Sequence, residues 1–202
     1  MRQNISFYKM LVTIAKPFIK LLYPYEVIGK ENLNKIDQGY ILCSNHLSNL
    51  DPIFLAITHS RPILFMAKSE LFKVRVFGKI LKMLGAFSIE RGKNDKEGLN
   101  TAENILKSNG VLGIFIEGTR SKTGEFLRPK SGVSVLSYST QKPILPVCIT
   151  GSDNNKIRMF TKTKIKYGDP INCEDLEISS NNLLGFKKST KYIMNKIINL
   201  RL

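Results

Sequence analysis

The stretch that decides the fold is YILCSNHLSNLDPIFLAITHS, residues 40–60, in which a strand, a polar loop and a helix follow one another. Tyr40 to Cys43 is a short apolar run of the kind that forms a buried strand. Asp51-Pro52 is typical of a helix start, with the aspartate as N-cap and the proline at the first helical position. This helix is predicted to end near Ser60, and His46 stands in the loop before it.

Short apolar runs alternate with amphipathic segments on both sides of this stretch. Strands are predicted over 26–29, 63–67, 86–90, 111–116 and 144–149, and helices over 72–83, 95–108, 132–140 and 182–202. The run 157–167 is predicted to be an edge strand or a hairpin. Strands that alternate with helices form largely parallel sheets covered on both faces. The predicted fold is therefore α/β, with a mixed, largely parallel β-sheet flanked by helices.

Residues 1–24 precede this alternation and are predicted to form an amphipathic helical arm, with the α/β domain over residues 25–202. In a helix over 3–23, bent at Pro17, the cations share one stripe and apolar residues fall opposite. The cations are Arg2, Lys9, Lys16 and Lys20, and the opposite residues are Phe7, Leu11, Ile14, Phe18 and Leu22. Such a helix can dock on the protein's own core, or it can lie in a membrane interface with its cations toward the headgroups.

The charge of the chain is strongly positive, because 31 lysines and arginines face 16 aspartates and glutamates among 202 residues. A net charge of +15 favours anionic partners, which are nucleic acid, anionic lipid or phosphorylated substrates. The longest apolar run of the arm, 11–15, is too short to span a bilayer, and lysines interrupt any signal-peptide core. We therefore expect the protein to remain on the cytoplasmic side.

The three cysteines, Cys43, Cys148 and Cys173, are far apart and form no CxxC pair. Only two histidines are present, His46 and His59, and their spacing to the cysteines fits no familiar zinc site. We expect buried free thiols in a reducing compartment and no metal site.

His46 is the first candidate functional residue, since a histidine on a loop after a strand is well placed to take a proton near neutral pH. Asp51, five residues on, can bond the second ring nitrogen, fix the tautomer and stabilise the imidazolium. The alternative is a surface histidine beside an ordinary helix-capping aspartate, and the spacing alone leaves both possibilities open.

The segment FIEGTRS, residues 115–121, is the second candidate and follows a predicted buried strand. Gly118 lets the backbone turn close to a ligand, and Arg120 offers a planar fork that matches phosphate. Lys68 and Arg91 follow two other predicted strands, so several cations can converge on one anion. For each of these residues the alternative is a solvated surface charge.

Together these segments resemble the 1-acyl-glycerol-3-phosphate acyltransferase family, which has four ordered sequence blocks. Asn45-His46 through Asp51-Pro52 matches the NHxxxxD block, and 85–91 is similar to the second block, which ends in arginine. Residues 115–121 are similar to FPEGTRS, with Ile116 where the family has proline, and 144–147 is similar to the last block. The resemblance covers about residues 26–170.

The resemblance implies an acyltransferase that moves a fatty acyl group from acyl-CoA or acyl-carrier protein to the sn-2 hydroxyl of a lysophosphatidic acid, in phospholipid biosynthesis. It implies that His46 is the base and Asp51 its orienting partner. It also implies a glycerophosphate pocket made of Lys68, Arg91, Glu117, Gly118, Thr119 and Arg120. No cofactor is expected, and the arm is similar to membrane-docking helices of bacterial members. We therefore expect a peripheral or monotopic protein on the cytoplasmic face of the cell membrane.

Three alternatives remain at this point. The same chemistry can serve another acceptor, such as glycerol 3-phosphate, another lysolipid or a lyso-ornithine lipid. A basic protein can instead bind nucleic acid, but that function predicts cations interleaved with aromatics on one exposed face. Here the cations gather at predicted strand ends and along the arm, so no nucleic-acid partner is expected. A lipid-binding protein without catalysis is the third alternative, and His46 with Asp51 argues against it.

Overall fold

The computed structural model describes residues 5–73, 75, 78, 85–89, 96–152, 155–178 and 183–202. Its strands are β1 (Tyr25–Ile28), β2 (Tyr40–Ser44), β3 (Ile63–Lys68), β4 (Phe87–Ile89), β5 (Val111–Phe115), β6 (Ile144–Thr150) and β7 (Thr163–Tyr167). Its α-helices are α1 (Ile5–Leu22), α2 (Asp51–Thr58), α3 (Ser69–Phe72), α4 (Lys96–Lys107), α5 (Gly132–Thr140) and α6 (Leu183–Ile198). Short 3-10 helices cover Lys30–Lys35 and Glu174–Leu176.

The seven strands form one mixed sheet in the order β1-β7-β6-β2-β5-β3-β4. The five strands β6, β2, β5, β3 and β4 are parallel to one another, which places their carboxyl ends along one edge. β7 runs antiparallel to β6 and parallel to β1. The prediction of a mixed, largely parallel sheet flanked by helices is confirmed.

The prediction of an edge strand or hairpin over 157–167 is wrong. β7 begins only at Thr163 and lies between β6 and β1, so β1 is the edge strand. The buried side chains of Thr163, Ile165 and Tyr167 alternate with less buried ones, which is the pattern of a strand with one face on the core.

The core consists of two apolar clusters, formed by alternate residues of the same strands. Tyr40 and Leu42 of β2 belong to the cluster that packs against α1 and α2. Ile41 and Cys43 belong to the cluster that includes residues of α4, α5 and α6. Because both faces of β2 are buried, the strand reads as a continuous apolar run and lies near the centre of the sheet.

Helix α1 packs on the domain with one face and exposes apolar residues on another. Tyr8 is buried, and Val12 and Ile19 pack against the first cluster. The large exposed apolar residues of the helix are Phe7, Met10, Ile14, Phe18, Leu21 and Leu22, and Lys9, Lys16 and Lys20 are exposed as well. Docking on the core and an exposed amphipathic surface therefore coexist on one helix. Among the described residues, no helix is long and apolar enough to cross a membrane.

Several other predictions are settled only in part. Ser69–Phe72 is helical, whereas Val76, Ile80 and Met83 of the predicted helix over 72–83 lie outside the described residues. Arg2 of the cationic stripe also lies outside them. All three cysteines are free, and Cys43 and Cys148 are buried as predicted. Cys173 is only partly buried, because it lies at the start of the surface 3-10 helix Glu174–Leu176.

His59 ends α2 as a buried, neutral histidine. Its Nε2 atom lies 2.5 Å from the Tyr40 hydroxyl, and its Nδ1 atom lies 2.6 Å from the Arg61 carbonyl oxygen and 3.0 Å from the Arg61 backbone nitrogen. Burial lowers the pKa of His59 to about 4. This histidine has a structural role: its ring hydrogen-bonds to Tyr40 of the first cluster and to the backbone of Arg61 just after the helix.

This pKa predicts a pH-dependent term in stability. Below about pH 6.5 the unfolded chain binds a proton at residue 59, but the folded chain does not until about pH 4. The His59 contribution to the free energy of unfolding is therefore present above about pH 6.5 and is lost as the pH falls, at up to ~1.4 kcal/mol per unit. We expect the stability gap between wild type and His59→Gln to shrink over this window in urea titrations. A stability difference between wild type and His59→Gln that stays constant with pH would contradict the lowered pKa of His59.

Candidate active site

Two loops meet at the carboxyl edge of the sheet because β2 and β5 are paired in register, with Ser44 opposite Phe115. The residues that follow these strands are therefore neighbours. The Ile116 N–H donates to the Ser44 carbonyl over 3.0 Å, and the Ser121 N–H donates to the His46 carbonyl over 2.8 Å. The loop of His46 and the loop 116–121 are thus joined along their backbones.

Asp51 organises the His46 loop through one carboxylate oxygen. Its Oδ2 atom lies 2.7 Å from His46 Nδ1 and accepts the backbone N–H groups of Leu47 over 2.6 Å and Ser48 over 2.8 Å. The prediction that Asp51 is the N-cap of α2 is wrong: the N-cap position is Leu50, and Asp51 is the first helical residue. The carboxylate turns back into the loop, where it gains three donors.

The His46 ring stacks on an aromatic side chain of the neighbouring strand β5. It stacks on Phe115 with ring centroids 3.9 Å apart, and Phe65 also stacks on Phe115, with centroids 5.7 Å apart. The His46 side chain is 16% exposed, and its Nε2 atom has no hydrogen-bond partner among the described residues. An imidazole anchored at Nδ1 by a carboxylate and open at Nε2 is arranged to take a proton from a bound hydroxyl.

Asn45 fixes the same loop to the neighbouring strand β6. Its side-chain amide donates to the Ile149 carbonyl over 2.9 Å, and its oxygen accepts the Ile149 N–H over 2.8 Å. Asn45 is fully buried, so both of these bonds are made away from water. The position of His46 is therefore set by the two strands on either side of β2.

Glu117 lies beneath the site and is only 2% exposed. Burial raises the pKa of Glu117 to about 7, against the opposing effect of backbone hydrogen bonds from Leu127 and His46, and the Asp51 carboxylate raises it further. Its Oε2 atom and the Oδ1 atom of Asp51 are buried without hydrogen-bond partners among the described residues. Glu117 is thus a second buried carboxyl group that supports the backbone of His46.

A cationic pocket of about 410 Å³ opens beside the His46 loop. It is lined by Leu47 and Ser48 from that loop, by Thr119, Arg120, Ser121, Lys122 and Gly124, and by Asn155, Lys156 and Ile157. No carboxylate is among these lining residues. Arg120, Lys122 and Lys156 are exposed, so the pocket suits an anionic group.

The structure brings together most of the residues that the sequence indicated. His46 and Asp51 are in contact, Thr119 and Arg120 line the pocket, and Gly118 makes the turn between them with φ of 71°. Lys68 is the last residue of β3, and only its backbone is described, while Arg91 lies outside the described residues.

Sequence reasoning gave no role to four neighbours of the site, Phe115, Lys122, Asn155 and Lys156. Phe115 belongs to an ordinary apolar strand, and nothing in its pattern indicates stacking on a histidine. Asn155 and Lys156 come from the connection after β6, and the Asn155 amide donates to the carbonyl of Gly124, another residue that lines the pocket.

Comparison with known proteins agrees with this geometry. The sequence profile of the family described as Acyltransferase matches residues 24–150, and this chain belongs to that family. The chain is 30% identical over 171 residues to the 1-acyl-sn-glycerol-3-phosphate acyltransferase of Bacillus subtilis, which covers 83% of this chain and 84% of the relative. It is 32% identical over 178 residues to the enzyme of the same name from Streptococcus pneumoniae, covering 84% and 66%.

More distant relatives show the same relationship. The 1-acyl-sn-glycerol-3-phosphate acyltransferase of Saccharomyces cerevisiae is 33% identical over 162 residues, covering 75% of this chain and 52% of the yeast enzyme. The crystal structure of the 1-acyl-sn-glycerophosphate acyltransferase PlsC from Thermotoga maritima superposes with a TM-score of 0.74. That alignment covers 99% of this chain and 82% of the other, at 24% identity, and shows a common fold.

The raised pKa of Glu117 predicts how its replacement affects stability. The folded state holds the Glu117 proton up to about pH 7, so this contribution to stability is full below about pH 4.5 and is lost as the pH rises through 7. Glu117→Gln keeps an acceptor oxygen and cannot ionise. We expect its melting temperature, relative to wild type, to rise between about pH 5 and pH 8 in calorimetry.

The matched control is Glu31→Gln, which replaces an exposed glutamate on the 3-10 helix Lys30–Lys35. Its melting temperature relative to wild type is expected to stay level between the two pH values. If Glu117→Gln behaves like Glu31→Gln, burial does not raise the pKa of Glu117 in the folded protein, and the assignment made above is wrong.

Proposed function

We propose that this acyltransferase moves a fatty acyl group from an acyl thioester to the sn-2 hydroxyl of lysophosphatidate, forming phosphatidate for phospholipid biosynthesis. The observation that carries the proposal is the hydrogen bond of 2.7 Å between His46 Nδ1 and Asp51 Oδ2, beside a cationic pocket. The names of relatives from bacteria and yeast support the acceptor.

The chemistry follows from the orientation of His46. Its Nε2 atom removes the proton of the acceptor hydroxyl as the oxygen attacks the thioester carbonyl. The tetrahedral intermediate then collapses, the carbon–sulfur bond breaks, and the departing thiolate takes the proton back from Nε2. Asp51 keeps Nδ1 protonated and stabilises the imidazolium between the two steps. The thioester is already activated, so no protein nucleophile is needed.

The negative oxygen of the intermediate needs hydrogen-bond donors. The backbone N–H groups of Leu47 and Ser48 are already taken by Asp51, and those of Leu50 and Asp51 donate to Ser48. Of the N–H groups after His46 in this loop, that of Asn49 remains for the oxyanion. Asn49 is exposed and therefore accessible to a substrate.

We place the acceptor's phosphate in the cationic pocket. Arg120 offers a fork that pairs with two phosphate oxygens, and Thr119 beside it offers a hydroxyl. Ser48 connects this pocket to the His46 loop, which sets the phosphate a short distance from the base. Lys68 and Arg91 complete the pocket in the proposal, and Gly118 makes the turn that leads the chain into it. The donor is acyl-CoA or acyl-carrier protein, both of which are anionic.

We further propose that the enzyme works at the surface of the cell membrane, on the cytoplasmic side, as a peripheral or monotopic protein. The exposed apolar side chains of α1, among them Phe18 and Leu21 at 63% and 71% exposure, support this. A soluble domain rarely leaves such a row uncovered. The lysines of α1 add attraction to an anionic leaflet.

His46→Ala is expected to lower turnover by ~10²–10⁴-fold without unfolding the protein, because a single base serves both half-reactions. Asp51→Asn is expected to be comparably damaging, since the amide removes the negative charge that stabilises the imidazolium. Phosphatidate release from lysophosphatidate and an acyl thioester measures both effects, with circular dichroism as the control for folding. A folded His46→Ala variant that turns over at the wild-type rate contradicts the mechanism.

Arg120→Lys keeps the charge of the pocket and loses the fork, so we expect weaker use of the acceptor. Loss of one charge-assisted hydrogen bond costs roughly 1.5–3 kcal/mol, or about ten- to a hundredfold in kcat/KM for lysophosphatidate. The effect should be confined to the acceptor, and the KM for the donor should not change. Lys142→Arg is the control, because Lys142 is a half-buried cation that donates to Gln38 away from the pocket. Equal acceptor kinetics in wild type and Arg120→Lys would place the phosphate elsewhere.

A further inference from the structure

A tight turn at Arg158–Thr161 exposes two large apolar side chains that the proposed chemistry does not use. Met159 is 47% exposed and Phe160 is 69% exposed. The turn is closed on itself, since the Thr161 hydroxyl donates to the Arg158 carbonyl over 2.9 Å. The turn therefore holds Met159 and Phe160 at the surface in a fixed loop.

The backbone of Phe160 has an unfavourable conformation for an aromatic residue. Its φ angle is 59°, in the left-handed region that L-residues with a Cβ atom rarely adopt. Glycine or asparagine is the usual residue at such a position. A phenylalanine with a strained backbone and an exposed side chain does not stabilise the free protein through packing. We infer that the ring is buried in contact with a partner.

The turn is attached to the end of α1. The Phe160 N–H donates to the Leu22 carbonyl over 2.7 Å, and the Thr163 N–H donates to the Pro24 carbonyl over 2.9 Å. The last turn of α1 carries the exposed Leu21 and Leu22. Phe160 therefore continues the exposed apolar surface of α1 onto a second element, more than 130 residues further along the chain.

The same segment also borders the cationic pocket. Asn155, Lys156 and Ile157 line the pocket, and the chain passes from them directly into the Arg158–Thr161 turn. Lys156 and Arg158 are exposed on the way. Cations that flank exposed aromatic and aliphatic side chains match the anionic headgroups and acyl region of a bilayer.

We propose that the Arg158–Thr161 turn is a second membrane contact, in which Phe160 and Met159 enter the bilayer beside α1. The proposal rests on the membrane binding of α1 proposed above. The membrane is then contacted at two places, by α1 and by the Arg158–Thr161 turn that is bonded to its last residue, Leu22. Because of the second contact, the domain cannot rotate freely about the axis of α1. The mouth of the pocket is thereby held toward the lipid surface, where a lysophospholipid resides.

The test uses the fact that the chain contains no tryptophan. Phe160→Trp introduces a single tryptophan at the turn, whose emission is excited apart from that of the tyrosines. The full-length variant is mixed with vesicles of phosphatidylcholine and phosphatidylglycerol in equal parts. We expect a blue shift of the emission and quenching by lipids brominated on their acyl chains. Leu184→Trp is the matched control, because Leu184 is 77% exposed on α6, which packs on the opposite face of the sheet. Its emission should not change.

A second variant separates membrane binding from folding. Phe160→Gly removes the ring and relieves the positive φ, so its melting temperature should equal or exceed that of wild type. Its partition onto the same vesicles should fall about tenfold, since a Phe side chain no longer enters the lipid. Unchanged partition, or an equal blue shift in Phe160→Trp and Leu184→Trp, overturns the proposal. So does a blue shift that follows protein concentration without vesicles, because the turn is then a protein contact.

Acyl transfer to lysophosphatidate dispersed in detergent keeps this test separate from the proposed function. Phe160 lies outside the pocket and the His46 loop, so Phe160→Gly is expected to retain wild-type turnover in detergent while losing activity on vesicles. If neither wild type nor Phe160→Gly makes phosphatidate in detergent, but the tryptophan of Phe160→Trp still enters the vesicle bilayer, the proposed acceptor is wrong and the membrane contact is supported.

Discussion

One carboxylate oxygen, Oδ2 of Asp51, holds the site together. It takes the imidazole of His46 and two backbone N–H groups, so ring orientation and loop conformation depend on the same charge. Hydrogen bonds to a charged acceptor are the strong ones, and this oxygen is fully buried. The arrangement explains why the base and its partner are separated by a loop of only four residues: the carboxylate closes the very loop that carries the base.

The β-sheet fixes the position of the His46 loop relative to the other parts of the site. Register between β2 and β5 brings the loop 116–121 against His46, and Asn45 ties the loop to β6 on the other side. Phe115, the last residue of β5, becomes the surface on which the imidazole stacks. The cationic pocket then forms where these loops meet the connection after β6, and the same connection continues to the apolar turn next to α1. Base, anion site and proposed membrane surface thus follow one another along a single edge of the molecule.

Part of the fold and of the site could be predicted from short stretches of the sequence. The strands of the sheet carry apolar runs that are visible in the sequence, and the His46–Asp51 contact is the geometry that the NHxxxxD resemblance implies. The role of Asp51 as N-cap was wrong, because the local pattern does not reveal that the loop offers the carboxylate better donors than the helix does. The position of β7 was wrong for a different reason: periodicity shows which face of a strand is buried, but not which strands lie on either side. Phe115 and Lys156 reach the site through that strand order, across 69 and 110 residues from His46, and spacing in the sequence does not encode it.

The central claim is the transfer of an acyl group to lysophosphatidate, and a competition among acceptors tests it most directly. The purified protein would be given acyl-CoA, and in a parallel reaction acyl-carrier protein, with equal concentrations of lysophosphatidate, glycerol 3-phosphate, lysophosphatidylglycerol and lyso-ornithine lipid. Mass spectrometry of the products then ranks the acceptors by kcat/KM in one vessel. Phosphatidate as the dominant product with at least one donor is the result we predict. A dominant product from another acceptor, or none that depends on His46, would contradict the assignment.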